Sequence, residues 1–126
     1  MKSFTRADRV GALIQQSLSD ILRKNVKDPR LDMTLITGVK MAADLKSALI
    51  FFSTSTGSSK SREDAYQGFK SALGYIKRAL ASELKLRYMP ELKFAYDESF
   101  DYASRINGLL KKVREQDGVP DAPAGK

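Results

Sequence analysis

The chain reads as an α+β two-layer domain, with helices covering one face of a three-stranded sheet. Three observations predict this. Apolar residues recur at helical spacing near the front of the chain and again across its middle. Three short segments alternate with period two. The order is helix, strand, strand, long helical segment, strand, helix, within 126 residues, a length that suits one domain and one core.

The first helix is expected over residues 7–24. Val10, Leu13, Ile14, Leu18, Ile21 and Leu22 form its inward stripe, and Thr5 is its candidate N-cap. Asp28-Pro29-Arg30 follows as a turn, because Pro29 presets φ and Asp28 suits the first turn position. From Leu31 the period becomes two. Leu31, Met33, Leu35, Val39 and Met41 are expected inward, with Ile36 and Thr37 breaking the alternation. A polar connection at residues 43–46 has hairpin length. The run "ALIFFS" at 48–53 is apolar on both faces and reads as an inner strand.

Residues 54–61 form a Ser/Thr/Gly loop. Ser61 and Asp64 then resemble a capping box at the head of the long helical segment. Its stripe is Ala65, Phe69, Leu73, Ile76, Leu80 and Leu84. Some 26 residues of helix would be about 39 Å long, whereas a compact domain of this size is about 35 Å across. A glycine inside a helix costs roughly 1 kcal/mol against alanine. Gly74 in "SALGY" is therefore expected to mark a kink between two packed helices, with small Ala72 allowing close approach; Gly68 reads as a tolerated glycine. Tyr88-Met89-Pro90 stops the segment. Leu92, Phe94 and Tyr96 form the third strand. Ser99 is expected to cap a C-terminal helix with Phe100, Ala103, Ile106, Leu110 and Val113 inward. The domain is placed at 1–115, and the tail at 116–126, poor in apolar groups, is expected to be disordered.

There is no cysteine and no histidine. The absence removes thiolate metal sites, a cysteine nucleophile and the commonest general base. The adjacent pairs Glu63-Asp64 and Asp97-Glu98 suit helix N-termini better than acid–base catalysis. Neither a GxxxxGK[ST] loop nor a GxGxxG fingerprint occurs. No enzymatic activity and no cofactor are expected. The charged start lacks an apolar signal core, and no apolar run is long enough to cross a bilayer, so a cytoplasmic location is expected.

Net charge is +7, with a pI near 9.7. Up to Tyr96 there are 17 Lys and Arg against 9 Asp and Glu; from Asp97 onward there are 5 against 6. The excess therefore belongs to the folded part and points to an anionic partner, of which nucleic acid is the usual one. Lys70, Lys77 and Arg78 lie off the middle stripe, and Lys70 and Lys77 share nearly one azimuth. They are the first candidates for phosphate contacts; Arg6, Arg9, Arg30 and Lys46 are the second. Tyr75 is expected to be exposed. A basic adaptor for an acidic protein is the alternative. A small ferredoxin-like enzyme would need an additional first strand where the sequence is helical.

The segments "RADRVGALI" (6–14), "VKDPRL" (26–31), "ITGVKMAADLKSALIFF" (36–52), "ALGYIKRAL" (72–80), "LRYMPELKFAYDES" (86–99) and "SRI" (104–106) resemble, in order and spacing, the bacterial ribosome-binding factor A family. The resemblance implies a type II KH-like fold, helix-strand-strand-helix-kink-helix-strand with a C-terminal helix. In ordinary KH domains a GXXG loop clamps the nucleic-acid backbone. In this family an Ala-x-Gly interhelical kink replaces it, matched here by Ala72-Leu73-Gly74. The resemblance further implies a non-catalytic monomer that binds the free, immature 30S subunit and 16S rRNA, with ribosomal proteins as further contacts. It also implies a role in late maturation, 16S rRNA 5′-end processing and growth in the cold. Lys77 stands where the family often has arginine, replacing a planar fork by a point charge, and Asp101 stands where glutamate is common.

Overall fold

The computed structural model describes residues 5–100. Helix α1 spans Arg6–Lys24. Thr5 Oγ1 accepts the Asp8 N–H at 3.1 Å, and the Asp8 carboxylate accepts the Thr5 N–H at 3.0 Å. This reciprocal pair satisfies two donors that a helix start leaves unpaired. Ile14, Leu18 and Ile21 are buried along one stripe. A 3-10 turn, Pro29–Leu31, is capped by Asp28. Strands β1 (Thr34–Met41) and β2 (Ser47–Thr54) follow, then helix α2 (Ser59–Leu84) and strand β3 (Glu91–Tyr96).

The sheet order is β1-β2-β3. β1 and β2 are antiparallel, joined by a short turn. β2 and β3 are parallel, which demands a crossover, and α2 supplies it. The expected inner strand is therefore the central one. Ala48, Ile50 and Phe52 point inward from β2 and are buried. Phe52 is ringed by Tyr66, Phe69 and Tyr96, with ring centroids 5.1, 5.1 and 5.5 Å away. Phe69 stacks on Phe94 at 4.2 Å. Edge-on and offset contacts of this kind add to simple area burial.

The α+β two-layer expectation holds, with corrections at four places. First, α2 is continuous: Ala72, Leu73 and Gly74 are all helical, so the segment does not divide into two helices. Its buried residues, Ala65, Gly68, Phe69, Ile76 and Leu80, are spread along its length. One face thus finds cover throughout, and Lys85, with φ of 51°, turns the chain back toward the sheet. A Cβ at Gly74 would meet only the Arg78 Nη1, at 3.4 Å, so no backbone approaches there.

Second, the alternation expected from Leu31 starts too early. Leu31 is buried as expected but from the 3-10 turn, whereas Met33 has φ of 64° and is 74% exposed, and Leu35 is half-exposed. Ile36 pairs with Phe52 and Gly38 with Phe51, which leaves Thr37 as the extra residue of a bulge. The bulge resets the phase, so that Ile36 and Met41 both face the core. Third, Ser58 caps α2, its Oγ accepting the Ser61 N–H at 3.1 Å. Fourth, the Asp97 carboxylate accepts the Phe100 N–H at 3.0 Å, so Asp97 rather than Ser99 caps the helical turn that starts at 98. The rest of the expected C-terminal helix and the tail at 116–126 lie outside the described residues.

Candidate nucleic-acid interface

The seven cations singled out from sequence fall into separate groups. Lys70 projects from the flank of α2 beside β3, and Lys77, seven residues on, shares nearly its azimuth on the helix. Lys70 borders a shallow groove with Phe69, Leu73, Leu92 and Phe94. Arg78 stands on the outer ridge of the same helix, with its guanidinium lying back toward Gly74. The space left by the missing Gly74 side chain accommodates it. Lys70 and Arg78 are exposed and Lys77 is half-buried. None of the three forms an ion pair among the described residues. Tyr75, on the opposite flank, is 42% exposed as the stripe predicts.

Arg30 belongs to a different environment. Its Nε and Nη2 donate to the two Asp28 oxygens at 3.0 and 2.7 Å, and Nη2 also reaches Ser71 Oγ at 3.1 Å. The side-chain bond from Arg30, with its backbone N–H, holds the Asp28 carboxyl below its usual range, and the same contact raises the Arg30 guanidinium. The cation is thus neutralised locally and ties the 3-10 turn to α2. Arg62 is likewise committed: it pairs with Glu98 at 2.9 Å, donates to the Gly57 carbonyl at 3.1 Å and lies 4.0 Å over the Tyr96 ring.

Arg6 and Lys46 come together at the far end of the sheet. They rim a cavity of about 670 Å³ between the start of α1, the β1–β2 turn and the segment that leaves α2. Arg87 and Tyr88 complete the rim and were not singled out from sequence. Tyr88 is 76% exposed, and Arg87 stands 5.6 Å from its ring centroid. An arginine-tyrosine pair beside the stop at Pro90 is the signal that was available. Arg9 is exposed on the outer face of α1, away from the cavity lining.

The two adjacent acidic pairs noted in the sequence, and Glu83, are already occupied. Asp97 accepts from Thr37 Oγ1 at 2.6 Å, and this bond lowers its pKa. Glu98 pairs with Arg62, Asp64 lies 3.7 Å from Lys60, and Glu63 accepts from Gln67 at 2.9 Å. Glu83 accepts from Ser17 Oγ at 2.7 Å, joining α2 to α1. Among the described residues no group of acids forms a metal site, and no helix is long and apolar enough to cross a membrane. What the arrangement offers is a set of cations without acidic partners among the described residues, on one continuous helix and at one end of a sheet, which suits phosphate contacts.

Known proteins match this chain closely. A ribosome-binding factor A from Desulfosudis oleivorans is 51% identical over 123 residues, covering 97% of this chain and 95% of that one. The crystal structure of ribosome-binding factor A from Thermus thermophilus superposes with a TM-score of 0.64 at 20% identity, covering 73% of this chain and 97% of that one, a likeness of fold. A homology model of the Thermus thermophilus factor, fitted into the cryo-EM map of a complex of that factor with the 30S subunit, has a TM-score of 0.58 at 19% identity, with 70% and 91% covered. The family model described as ribosome-binding factor A matches residues 6–110. This chain belongs to the ribosome-binding factor A family.

Proposed function

We propose that this chain is a non-catalytic, monomeric assembly factor of the cytoplasm that binds the free, immature 30S subunit through 16S rRNA. Binding would favour late maturation, including processing of the 16S rRNA 5′ end, and would matter most for growth in the cold. Membership of the family and the 30S complex of the Thermus relative support the reading. The observation that carries it is the set Lys70, Lys77 and Arg78, presented by one continuous helix without acidic partners among the described residues. Cations so placed gain affinity by releasing counterions from phosphates. A factor with no chemistry of its own acts by differential affinity: it shifts rRNA toward the arrangement it binds better, by no more than that difference.

Sedimentation tests this. The chain is expected to travel with purified 30S subunits and to be absent from 70S ribosomes. Cells lacking it should accumulate 16S rRNA with an unprocessed 5′ end, more so at low temperature. Equal partition between 30S and 70S, or none with either, contradicts the proposal.

A further inference from the structure

We infer that the cavity rimmed by Arg6, Lys46, Arg87 and Tyr88 seats an unpaired RNA base, with Tyr88 as its stacking face and the three cations on the flanking phosphates. The inference rests on the rRNA-binding reading and names a second contact region, distinct from the cations of α2.

The walls are apolar, with Val10, Met41 and Met89 among them, and the volume of about 670 Å³ falls within the roughly 300–1,000 Å³ of small-ligand sites. An aromatic ring at the mouth of an apolar cavity, 76% exposed, is what a splayed-out base requires. Arg87, 5.6 Å from the ring centroid, adds a cation beside it. Arg6, Lys46 and Arg87 have no ion pair among the described residues. The lining holds one acid, Asp44, whose Oδ1 accepts the Lys46 N–H at 3.0 Å, against three cations. The rim is therefore cationic where a base would enter with its backbone.

A second observation is independent of charge. Among the described residues three non-glycine residues have positive φ; one of them, Leu45 at 62°, lines this cavity, and another, Lys85 at 51°, directly precedes its lining residue Leu86. A leucine in the left-handed region is costly and persists only where its surroundings hold it. Here the Leu45 N–H is fixed on the Ala42 carbonyl at 2.9 Å. The Leu45 turn thus presents part of the cavity wall, and the end of α2 at Lys85 leads directly into Leu86, Arg87 and Tyr88 on the opposite side of the lining.

The test uses the full chain and purified 30S subunits. Tyr88→Ala is expected to weaken binding about tenfold, the scale of one lost base stack, with the salt slope and the melting temperature unchanged. Tyr88→Phe should recover most of the loss. With p-benzoylphenylalanine in place of Tyr88, the photocrosslink should form to 16S rRNA. Wild-type affinity in Tyr88→Ala overturns the inference. So does a crosslink to a ribosomal protein, or none while binding persists. Failure of the wild-type chain to bind 30S is a different result, which removes the functional reading and this inference with it.

Discussion

A β-carbon on Gly68 would stand 2.8 Å from the Leu31 Cγ and 2.9 Å from its Cδ2. Gly68 is therefore where α2 meets the 3-10 turn, and Leu31 fills the place a side chain would take. The Arg30 to Ser71 bond lies one helical turn further along the same contact.

Gly68→Ala should destabilise the domain. Overpacking costs about 1–3 kcal/mol, offset in part by the roughly 1 kcal/mol that alanine gains over glycine in a helix. Gly74→Ala should do the reverse, raising stability by up to about 1 kcal/mol, because only the end of the Arg78 side chain, at 3.4 Å, is near. Urea unfolding of both variants checks the pair. A destabilised Gly74→Ala would show that Gly74 carries a backbone constraint after all.

Acid should weaken the fold in part through Asp97. The bond from Thr37 comes first among the causes that put its native pKa below the ordinary 3.8. The unfolded chain then takes up its proton first as pH falls. Stability supplied by Asp97 is full above about pH 4 and is lost as pH drops through the native value. Asp28 acts in the same direction through Arg30. Melting temperature followed from pH 6 downward should fall less steeply in Thr37→Ala than in the wild type. Parallel curves would remove Asp97 as a source of the acid limb.

Arg30→Ala should lower 30S affinity less than Lys77→Ala does, since Asp28 already neutralises the guanidinium. Binding isotherms at one fixed salt concentration compare the two. A larger loss for Arg30→Ala would mean that the Asp28 pair opens on binding.

Much of this arrangement is legible in the sequence, and the exceptions have physical causes. Thr5 and the stripe from Val10 to Leu22 give α1 within a residue, because capping and periodicity are local. "ALIFFS" announces a central strand because both of its faces are apolar. The phase of β1 is not legible: one extra residue at Thr37 turns Leu35 outward where alternation from Met41 would place it inward, and a bulge leaves only a broken alternation behind. Which serine caps α2 is also hidden, since Ser58, Ser59 and Ser61 are chemically equivalent. The roles of Gly68 and Gly74 are exchanged for the same reason of scale. Which glycine meets a neighbour depends on where Leu31 docks, and that is decided by tertiary packing. At the site, the cations of α2 are legible from helical azimuth. The neutralisation of Arg30 and the gathering of Arg6, Lys46, Arg87 and Tyr88 are not, because the turns at 28–31, 43–46 and 85–90 and their docking near the start of α1 set them.

The most direct measurement is the salt dependence of binding to purified 30S subunits, for the wild type and for the triple variant Lys70→Glu, Lys77→Glu, Arg78→Glu. For the wild type, log K should fall linearly with log salt, and the triple variant should lose co-sedimentation while keeping its circular dichroism. Single charge removals should each reduce the salt slope by about one. A flat salt dependence, or a triple variant that binds as well as the wild type, would contradict the account.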